Sequence, residues 1–158
     1  MRKIPLVGER GKGKFALIDD DQFDKVSNFK WIWNGRYVAT FIKVNGVQKT
    51  LLLHRYIFGE VDGEIDHKDH NALNNTRENL RVCTRSQNLM NRKIGKNNSS
   101  GYKGVYFDKW KNKWRAYIYL NKKQIILGWF DEKIDAARYY NVAAIKYHGQ
   151  YARLNKID

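Results

Sequence analysis

The chain has 158 residues, of which 42% are hydrophobic and 14% aromatic, enough apolar content for one ordinary domain or two small ones. Its 30 Lys and Arg residues outnumber its 16 Asp and Glu residues, and the net charge of +14 indicates a polyanionic partner. No apolar stretch is long enough to predict a membrane span, and the single cysteine, Cys83, excludes an internal disulfide or a zinc site with several thiolates.

Nucleic acid is the favoured partner of so basic a chain, and an anionic membrane surface is the weaker alternative. Residues 1–15 lack the apolar segment of a signal peptide, so we expect a cytoplasmic protein without a membrane partner. Free cysteine is usually buried, and Cys83 is therefore expected to be a small core side chain.

The first predicted elements are a short helix and a hairpin. Asp19–Asp21 precede "QFDKVSNFKW", which predicts a short helix with an aspartate at its N-cap. "WIWNGRYVATFIKVNGVQKTLLLHRYIFG" predicts two strands joined by Asn45-Gly46, a dipeptide that accepts the positive φ angles of tight hairpin turns. Trp31 and Trp33 are expected to pack in the core, with base stacking as the alternative.

Two segments of "EIDHKDHNALNNTRENLRVCTRSQN", residues 64–88, resemble helix-start patterns. "NNTRE" predicts only a turn, whereas "TRSQ" predicts the start of a helix that places Asn88 in its first turn. Asp66 and His67 are adjacent, so on a strand their side chains point to opposite faces. A carboxylate can then hold Mg²⁺ while a neutral imidazole, with a pKa of about 6.5, deprotonates water. This pattern indicates a nuclease with Asn88 as a second oxygen ligand.

A linker is predicted after this helix. "KIGKNNSSGYKG", residues 93–104, is the segment richest in Gly, Ser and Asn, and we place the linker at residues 96–100. Residues 1–95 and 101–158 are therefore predicted to form two modules.

The segment between Glu78 and Asp108 contains no acid. Its cations are candidates for phosphate contact, although such a run can also be a simple solvated surface. These cations are Arg81, Arg85, Arg92, Lys93, Lys96 and Lys103.

The second module is predicted to be a three-stranded antiparallel sheet backed by one helix, which makes the whole chain an α+β protein. "KGVYF", "WRAYIYL" and "QIILGWF" predict the strands, and the alternation in the second gives it an apolar and a polar, aromatic face. "DEKIDAARYYNVAAIKYHG" predicts the helix, with Asp131 at its N-cap and Gly149 at its end. The apolar strand side comprises Val105, Phe107, Trp114, Ala116, Ile118, Leu120, Ile125 and Leu127, and the inner helix side comprises Ile134, Ala137, Tyr140, Ala144 and Tyr147.

From "LHRYIFG" through "IDHKDHNALNNTRENLRVCTRSQNLMN", the chain resembles the HNH endonucleases with the ββα-metal fold, in particular phage and group I intron homing enzymes. The combined pattern L-H-R, D-H, L-N-N, E-N-L-R, C-T and Q-N carries the resemblance. It implies that His67 is the general base and that Asp66 and Asn88 hold one divalent cation, Mg²⁺ or Mn²⁺. It also implies that Asn79 hydrogen-bonds across the ββ loop and holds His67 in orientation.

Three other histidines have open roles. His54, in "LHR", matches a recurrent family position without an assigned chemical step. His70 stands where related chains mostly have glycine, so it is either structural or an extra contact to DNA or metal. His148, beside Gly149, is expected at the surface or as a cap of the helix C-terminus.

Residues 99–155 resemble the DNA-binding domain of plant ethylene-response factors, the AP-two family, which also occurs attached to phage HNH enzymes. The matching marks are "YKGV", Trp110 and Trp114, "LGWF", "AARYYNVAA" and "ARLN". The resemblance implies a sheet that enters the major groove with a helix behind it. The alternative is a sheet with a structural role only, whose exposed polar side chains do not contact DNA. The candidate DNA contacts are Lys103, Gly104, Tyr106, Trp110, Tyr117, Tyr119 and Gln124 by matched position, Lys113 and Arg115 by charge and facing, and Arg92, Lys93 and Lys96 from the basic run.

The sequence therefore predicts a homing-type endonuclease that hydrolyses duplex DNA in a bacterial or phage-infected cytoplasm. We expect a monomer without a small-molecule cofactor, in which the first module cuts and the second anchors the DNA. One alternative is a non-catalytic phage DNA-binding regulator whose nuclease module has decayed. Another is an RNA-binding or RNA-processing protein in which exposed tyrosines stack on bases.

Overall fold

The computed structural model describes residues 1–157, and its helices and antiparallel sheets confirm a mixed α+β fold. The chain divides into two compact units, Met1–Thr84 (the first unit) and Arg85–Asp158 (the second unit). Residues 92–104 contain no helix or strand, and the linker at residues 96–100 stays a prediction. Within the described residues, none of the helices has the length and apolar character needed to cross a bilayer.

The first unit begins with a hairpin that the sequence analysis did not predict. Strand β1 (Arg2–Pro5) pairs antiparallel with β2 (Phe15–Ile18). Ile4, Ala16 and Ile18 are buried, because alternate residues of a strand share one face. The hairpin therefore supplies part of the core of the first unit.

The predicted short helix is present as α1 (Phe23–Ser27), after a single 3-10 turn (Asp20–Gln22), but no aspartate side chain caps it. The prediction of an aspartate N-cap was wrong because these acids bind other partners. Asp20 accepts a hydrogen bond from the N-terminal ammonium group at 2.8 Å. Asp21 pairs with Arg77 at 2.6 Å, and this hydrogen bond lowers the pKa of the Asp21 carboxyl.

The predicted hairpin at Asn45-Gly46 is confirmed, with φ angles of 51° and 78° at the two turn residues. It belongs to a three-stranded sheet with the order β3-β4-β5. Strand β3 pairs only with the first two residues of β4, so the outer part of β4 and β5 forms a two-stranded ribbon. The strands are β3 (Ile32–Trp33), β4 (Val38–Val44) and β5 (Val47–Leu52).

A helix follows the hairpin where the sequence analysis expected the second strand to continue. Strand β5 ends at Leu52, and α2 (Leu53–Phe58) ends at Gly59, which has a φ of 84°. The continued strand was wrong because "LLLHRYIF" is a short apolar run, and such a run is compatible with either structure.

The core of the first unit forms around Trp31, which is fully buried. Its indole Nε1 donates a hydrogen bond to the carbonyl of Val26 at 2.8 Å, which satisfies the polar group of the ring. Trp33 packs against the same cluster, so core packing of both tryptophans is confirmed.

Strands β6 (Glu64–His67) and β7 (Leu80–Cys83) form the second hairpin of the first unit. The turn predicted in "NNTRE" is present at residues 77–79. Cys83 is buried, as expected, and burial raises the pKa of its thiol.

The second unit contains a short helix, a three-stranded antiparallel sheet with the order β10-β9-β8, and a long helix. The short helix starts directly after Thr84, where the capping pattern predicted it. Strand β10 contains an irregularity between Ile126 and Gly128, where its register against β9 shifts. The elements are α3 (Arg85–Asn91), β8 (Val105–Asp108), β9 (Lys113–Leu120), β10 (Lys123–Phe130) and α4 (Lys133–His148).

Small side chains let α4 pack closely on the sheet. Its alanines and Tyr140 contact the buried residues Val105, Ala116 and Ile118 of the sheet. Gly149 ends the helix with a φ of 52°, as predicted. The predicted cap was wrong, since no side chain caps the helix and Asp131 instead pairs with Lys113 at 3.1 Å.

The helix phase differs from the prediction at the C-terminal end of α4. His148 is only 7% exposed, and its Nε2 lies 2.9 Å from the carbonyl oxygen of Tyr119, so the expected surface position was wrong. Tyr147, expected on the inner side, is 38% exposed. Phe107, at the end of edge strand β8, is also more exposed than its predicted apolar face implied.

Candidate functional site

Strand β6 presents Asp66 toward Arg81, the residue directly opposite on β7. Oδ2 of Asp66 accepts hydrogen bonds from Nε of Arg81 at 3.0 Å and from a terminal guanidinium nitrogen at 2.7 Å. The two side chains are only 10% and 11% exposed. Arg81 therefore compensates the charge of an almost buried carboxylate, which would otherwise be costly.

Asn75 determines which nitrogen of His67 carries the proton. Nε2 of His67 lies 3.3 Å from Oδ1 of Asn75. The Asn75 amide nitrogen donates to the carbonyl of Ala72 at 3.2 Å, which turns its oxygen toward the imidazole. An amide oxygen only accepts, so this contact favours the tautomer with the proton on Nε2 and the lone pair on Nδ1. His67 is thus arranged to accept a proton at Nδ1.

Two rings enclose His67, which is itself only 5% exposed. The His54 ring meets it edge to face, with 5.3 Å between the ring centroids, and the Tyr37 ring stacks on it at 6.3 Å. Tyr37 and His54 also contact each other at 5.1 Å. The site around His67 is therefore an aromatic cluster built from three separate segments of the first unit.

Burial keeps both imidazoles neutral near physiological pH. It lowers the pKa of His54 to about 4, with further lowering by the charges of His67 and Arg55. Burial also lowers the pKa of His67, while the hydrogen bond that its ring makes to the Asn75 oxygen and the charges of two nearby carboxylates act in the opposite direction. A neutral imidazole is the form that can act as a base.

Asn79 braces the loop between β6 and β7. Its oxygen accepts a hydrogen bond from the backbone amide of Asp69 at 3.0 Å. Its amide nitrogen donates to Oδ1 of Asp69 at 2.9 Å and to the carbonyl of Asn74 at 2.7 Å. These bonds cross the loop, whereas the direct contact with His67 belongs to Asn75, which the sequence analysis placed only in a turn. The "L-N-N" element of the pattern contains Asn75 and was the available signal.

Hydrogen bonds connect the N-terminal hairpin and the residue that follows it to the loop between β6 and β7. The backbone amide of Leu17 donates to the carbonyl of Leu73 at 2.7 Å, and the amide of Asn75 donates to the carbonyl of Leu17 at 2.8 Å. The backbone amide of Arg77 donates to Asp19 at 2.8 Å. Sequence reasoning missed these contacts because they join segments that lie far apart in the chain.

His70 lies in the tight turn that follows His67. Its backbone amide donates to the carbonyl of His67 at 3.0 Å, and its φ is +60°. A positive φ favours glycine, so the backbone here has the conformation expected at a position where the resemblance implies glycine. Histidine therefore occupies a left-handed position in a hydrogen-bonded turn.

The predicted metal ligands comprise one carboxylate and one amide oxygen. Among residues 1–157, no three His, Cys, Asp or Glu side chains form a group that could hold a metal ion. Mg²⁺ does not require such a group, because it usually binds one or two protein carboxylates and takes its other ligands from water and phosphate. The hard oxygen of Asp66 fits that chemistry. Asn88 lies on α3 in the second unit, and an ion shared between the two residues stays a prediction.

Five of the predicted DNA contacts form one network on the polar side of the C-terminal sheet. Arg115 donates to the hydroxyl of Tyr106 at 2.5 Å and to Oε1 of Gln124 at 3.0 Å. Gln124 donates to the hydroxyl of Tyr119 at 3.4 Å. The Tyr117 ring lies between those of Tyr106 and Tyr119, at 5.7 and 5.9 Å. The sheet thus presents one arginine among polar aromatic side chains.

The other predicted contacts lie outside this network. Trp110 is fully exposed in the turn between β8 and β9. Lys113 pairs with Asp131, as described above. Arg92, Lys93 and Lys96 are exposed in the segment after α3.

The Lys103 side chain binds backbone carbonyls at the C-terminal end of α3. Its ammonium donates to the carbonyls of Met90 and of Arg92, the latter at 2.8 Å. Burial lowers the pKa of Lys103 to about 8, and the charges of Arg153 and Arg92 contribute. Lysines at a helix C-terminus satisfy carbonyls that lack a partner within the helix.

Gly104 has a packing role in the second unit. Its φ is +71°, and a Cβ atom at this position would lie 2.0 Å from Cδ2 of Tyr140. Gly104 therefore allows β9 and α4 to approach each other where no other residue fits.

Comparison with known proteins places these features in a family. The sequence profile described as "HNH endonuclease" matches residues 51–90, which include the β6–β7 hairpin. "Uncharacterized HNH endonuclease L560" of Acanthamoeba polyphaga mimivirus is 35% identical over 156 residues, covering 94% of this chain and 79% of that protein. The chain belongs to the HNH endonuclease family. It is a DNA endonuclease, a hydrolase that acts on phosphodiester bonds.

Two further relatives of this HNH endonuclease match shorter segments. "H-N-H endonuclease F-TflI" of Escherichia phage T5 is 34% identical over 71 residues, 39% of this chain and 36% of that protein. "APETALA2-like protein 2" of Oryza sativa is 44% identical over 57 residues, 36% of this chain and 13% of that protein. No solved structure matches the chain.

Proposed function

We propose that this HNH endonuclease is a homing-type enzyme that hydrolyses duplex DNA with His67 as its general base. The hydrogen bond between Asn75 and Nε2 of His67 carries the proposal, because it leaves Nδ1 of a neutral imidazole as the proton acceptor. Asp66, the preceding residue on β6, faces the opposite side, where Arg81 holds its carboxylate.

In the reaction, Nδ1 of His67 takes a proton from a water molecule while the water oxygen attacks phosphorus. The new bond joins this oxygen to phosphorus, and the bond from phosphorus to the 3′-oxygen breaks. The 3′-oxygen leaves with the electron pair of that bond and takes up a proton from solvent water. Asn75 stabilises the resulting imidazolium, because its oxygen accepts a hydrogen bond from the N–H at Nε2. The aromatic cluster of Tyr37 and His54 limits the motion of the ring.

Asp66 and Asn88 are the residues that would hold one divalent cation, Mg²⁺ or Mn²⁺. Such an ion, when bound, supplies positive charge that stabilises the phosphorane and the leaving oxygen. Arg81 orients the Asp66 carboxylate through two hydrogen bonds, so its donors fix the direction of that oxygen ligand.

The second unit would anchor the duplex, with the polar side of its sheet in the major groove, in the manner of an AP-two domain. The 44% identity to a rice APETALA2-like protein and the Arg115 network support this role. Arginine is suited to base recognition because its guanidinium group can bind guanine through two hydrogen bonds. In this chain, Tyr106 and Gln124 accept hydrogen bonds from the guanidinium group of Arg115 and so position it.

Plasmid nicking tests the nuclease proposal. Wild-type protein is expected to cut supercoiled DNA with Mg²⁺ or Mn²⁺, and a chelator is expected to stop the reaction. His67→Ala is expected to abolish cleavage while DNA affinity, measured by fluorescence anisotropy, stays nearly unchanged. Cleavage by His67→Ala at the wild-type rate would remove His67 from the mechanism, and full activity with the chelator would remove the cation.

A further inference from the structure

We propose that the ribbon formed by the outer parts of β4 and β5, residues 41–50, binds in a groove of the DNA duplex. It would hold the DNA at a fixed distance from His67. This inference rests on the proposed DNA endonuclease function and adds a contact surface in the first unit to the candidate residues of the second.

The ribbon projects beyond the core of the first unit. Strand β3 pairs only with Val38 and Ala39, so β5 is the one strand beside β4 from residue 40 onward. Its apolar side chains lie in solvent, since Phe41 is 54% exposed, Val44 37% and Val47 61%. A two-stranded ribbon is marginal in water on its own, and these side chains are placed to contact a partner.

The charge of this region favours a polyanionic partner. Residues 25–59 contain no Asp or Glu, although they include the whole ribbon and the segments that lead into it. Lys43 and Lys49 belong to the ribbon, and both are exposed. The cations of this acid-free region are Lys25, Lys30, Arg36, Lys43, Lys49 and Arg55. A basic ribbon with exposed apolar side chains combines phosphate contact with contact to bases.

The two strands that form the ribbon are flanked by residues that contact the candidate general base. Tyr37, whose ring stacks on His67, directly precedes β4. His54, which contacts His67 edge to face, lies two residues after β5. All these residues belong to the first unit. A groove contact made by the ribbon therefore has a set position relative to the reacting water.

The dimensions of the ribbon suit the major groove. Five residues per strand span roughly 17 Å at about 3.4 Å per residue. The major groove of B-DNA is about 12 Å wide and admits a two-stranded ribbon. We therefore expect the ribbon to contact DNA within about half a helical turn of the cleaved bond.

The first test measures the salt dependence of DNA binding by the full-length chain. Lys43→Ala with Lys49→Ala should weaken binding and reduce the slope of log K against log salt by about 2, close to 0.9 for each lost phosphate contact. Lys3→Ala with Lys12→Ala removes the same charge from exposed positions of the same unit and should leave the slope nearly unchanged. Thermal unfolding of each variant confirms that the fold is intact.

An unchanged slope in the ribbon variant would overturn the proposal. An equal decrease of the slope in the control pair would also overturn it, because the decrease would then depend on net charge and not on the position of the lysines.

The second test locates the ribbon on DNA. Val47→Cys places a thiol on the ribbon, while native Cys83 is 4% exposed and protected from labelling. An iron chelate attached at position 47, in full-length protein that also carries His67→Ala, should cut DNA at one cluster near the wild-type cleavage site. The same reagent at Lys12→Cys should give no such cluster.

The outcomes separate this inference from the proposed function. Scattered cutting from position 47, or a dimer that forms through the ribbon and dissociates in Lys43→Ala with Lys49→Ala, would show that the ribbon is not a DNA contact. Stronger competition by single-stranded RNA than by duplex DNA would also do so. Failure of the wild-type protein to nick DNA would instead remove the nuclease proposal, because the chelate maps binding without that activity.

Discussion

Asn75 is the side chain on which the state of His67 depends most directly. Asn75→Ala should lower the single-turnover cleavage rate by about 10- to 100-fold, the range found when a partner that orients a functional histidine is lost. The reason is that the imidazole would no longer be held as the tautomer with its lone pair on Nδ1. DNA affinity should not change, and a rapid-quench cleavage assay together with anisotropy would measure both.

Asn71→Ala is the matched control for that change. Asn71 lies in the same loop and accepts a hydrogen bond from the Leu73 amide, but its side chain makes no hydrogen bond to His67. Its substitution should alter the cleavage rate far less. Equal rate losses in both variants would show that loop integrity, rather than contact with the imidazole, is what matters.

Gly104 provides a stability prediction at a single residue. Gly104→Ala should lower the free energy of unfolding by about 3 kcal/mol or more, because the new Cβ meets the Tyr140 ring and φ is positive. Gly101→Ala, with a φ of 78° and no atom within 4 Å of the added Cβ, should cost only about 1 to 2 kcal/mol. Urea denaturation would measure both, and equal costs would contradict the packing argument.

Residue roles were predictable from the sequence only where they depend on neighbours in the chain. The opposite facing of Asp66 and His67 follows from adjacency on a strand, and β6 shows it. The contact between Asn75 and His67 depends on how the loop folds against Leu17, and no local pattern encodes that. His148 was misjudged because proximity to Gly149 suggested a surface position, whereas the Tyr119 carbonyl binds it inside.

At the scale of elements, regular alternation was the dependable signal. Strand β9 alternates strictly, and its pairing with two flanking strands was predictable from the sequence. Strand β1 is short and ends in a proline, so it lacked such a signal. Helix α2 is a short apolar run whose helical state is decided by packing in the core. Local propensity therefore predicted long periodic elements and failed on short buried ones.

The attachment of Lys103 to α3 predicts how stability depends on pH. The folded-state pKa of about 8 lies below the ordinary value of 10.5, so the folded protein releases this proton before the unfolded chain does. The free energy of unfolding of wild-type protein should therefore rise between about pH 8 and 10.5 relative to Lys103→Met. Below pH 8, the charged amine keeps its full burial penalty. Urea denaturation at several pH values would measure the difference.

Lys122→Met is the control for this pH dependence, since Lys122 is exposed in the turn after β9. Its unfolding free energy should run parallel to that of the wild type over the same pH range. A parallel curve for Lys103→Met as well would show that burial of Lys103 does not alter its titration.

For the whole molecule, the two units differ strongly in charge. The second unit has 16 basic and 5 acidic residues, a net charge of +11, whereas the first has 14 and 11, a net charge of +3. Non-specific affinity for DNA grows with the number of neutralised phosphates. This imbalance supports the proposal that the second unit provides most of the anchoring.

A triple substitution of Arg92, Lys93 and Lys96 by alanine tests the anchoring role. The salt slope of DNA binding should fall by about 3, close to 0.9 for each phosphate contact. The control substitutes Lys133, Arg138 and Lys146 of α4, which packs behind the sheet, and should leave the slope nearly unchanged. Identical slopes for wild type and the first variant would exclude the segment after α3 from phosphate contact.

Among the five tryptophans, Trp31 and Trp110 differ most in exposure, and they give the unlabelled protein two contrasting fluorescent reporters. Trp31 is completely buried in the first unit, and Trp110 is completely exposed in the second. Iodide in solution should quench emission from Trp110 while sparing Trp31, and bound DNA should protect the exposed indole from that quencher. Unfolding of the first unit should shift the emission of Trp31 to longer wavelength, so ligand binding and loss of structure can be followed separately by light alone.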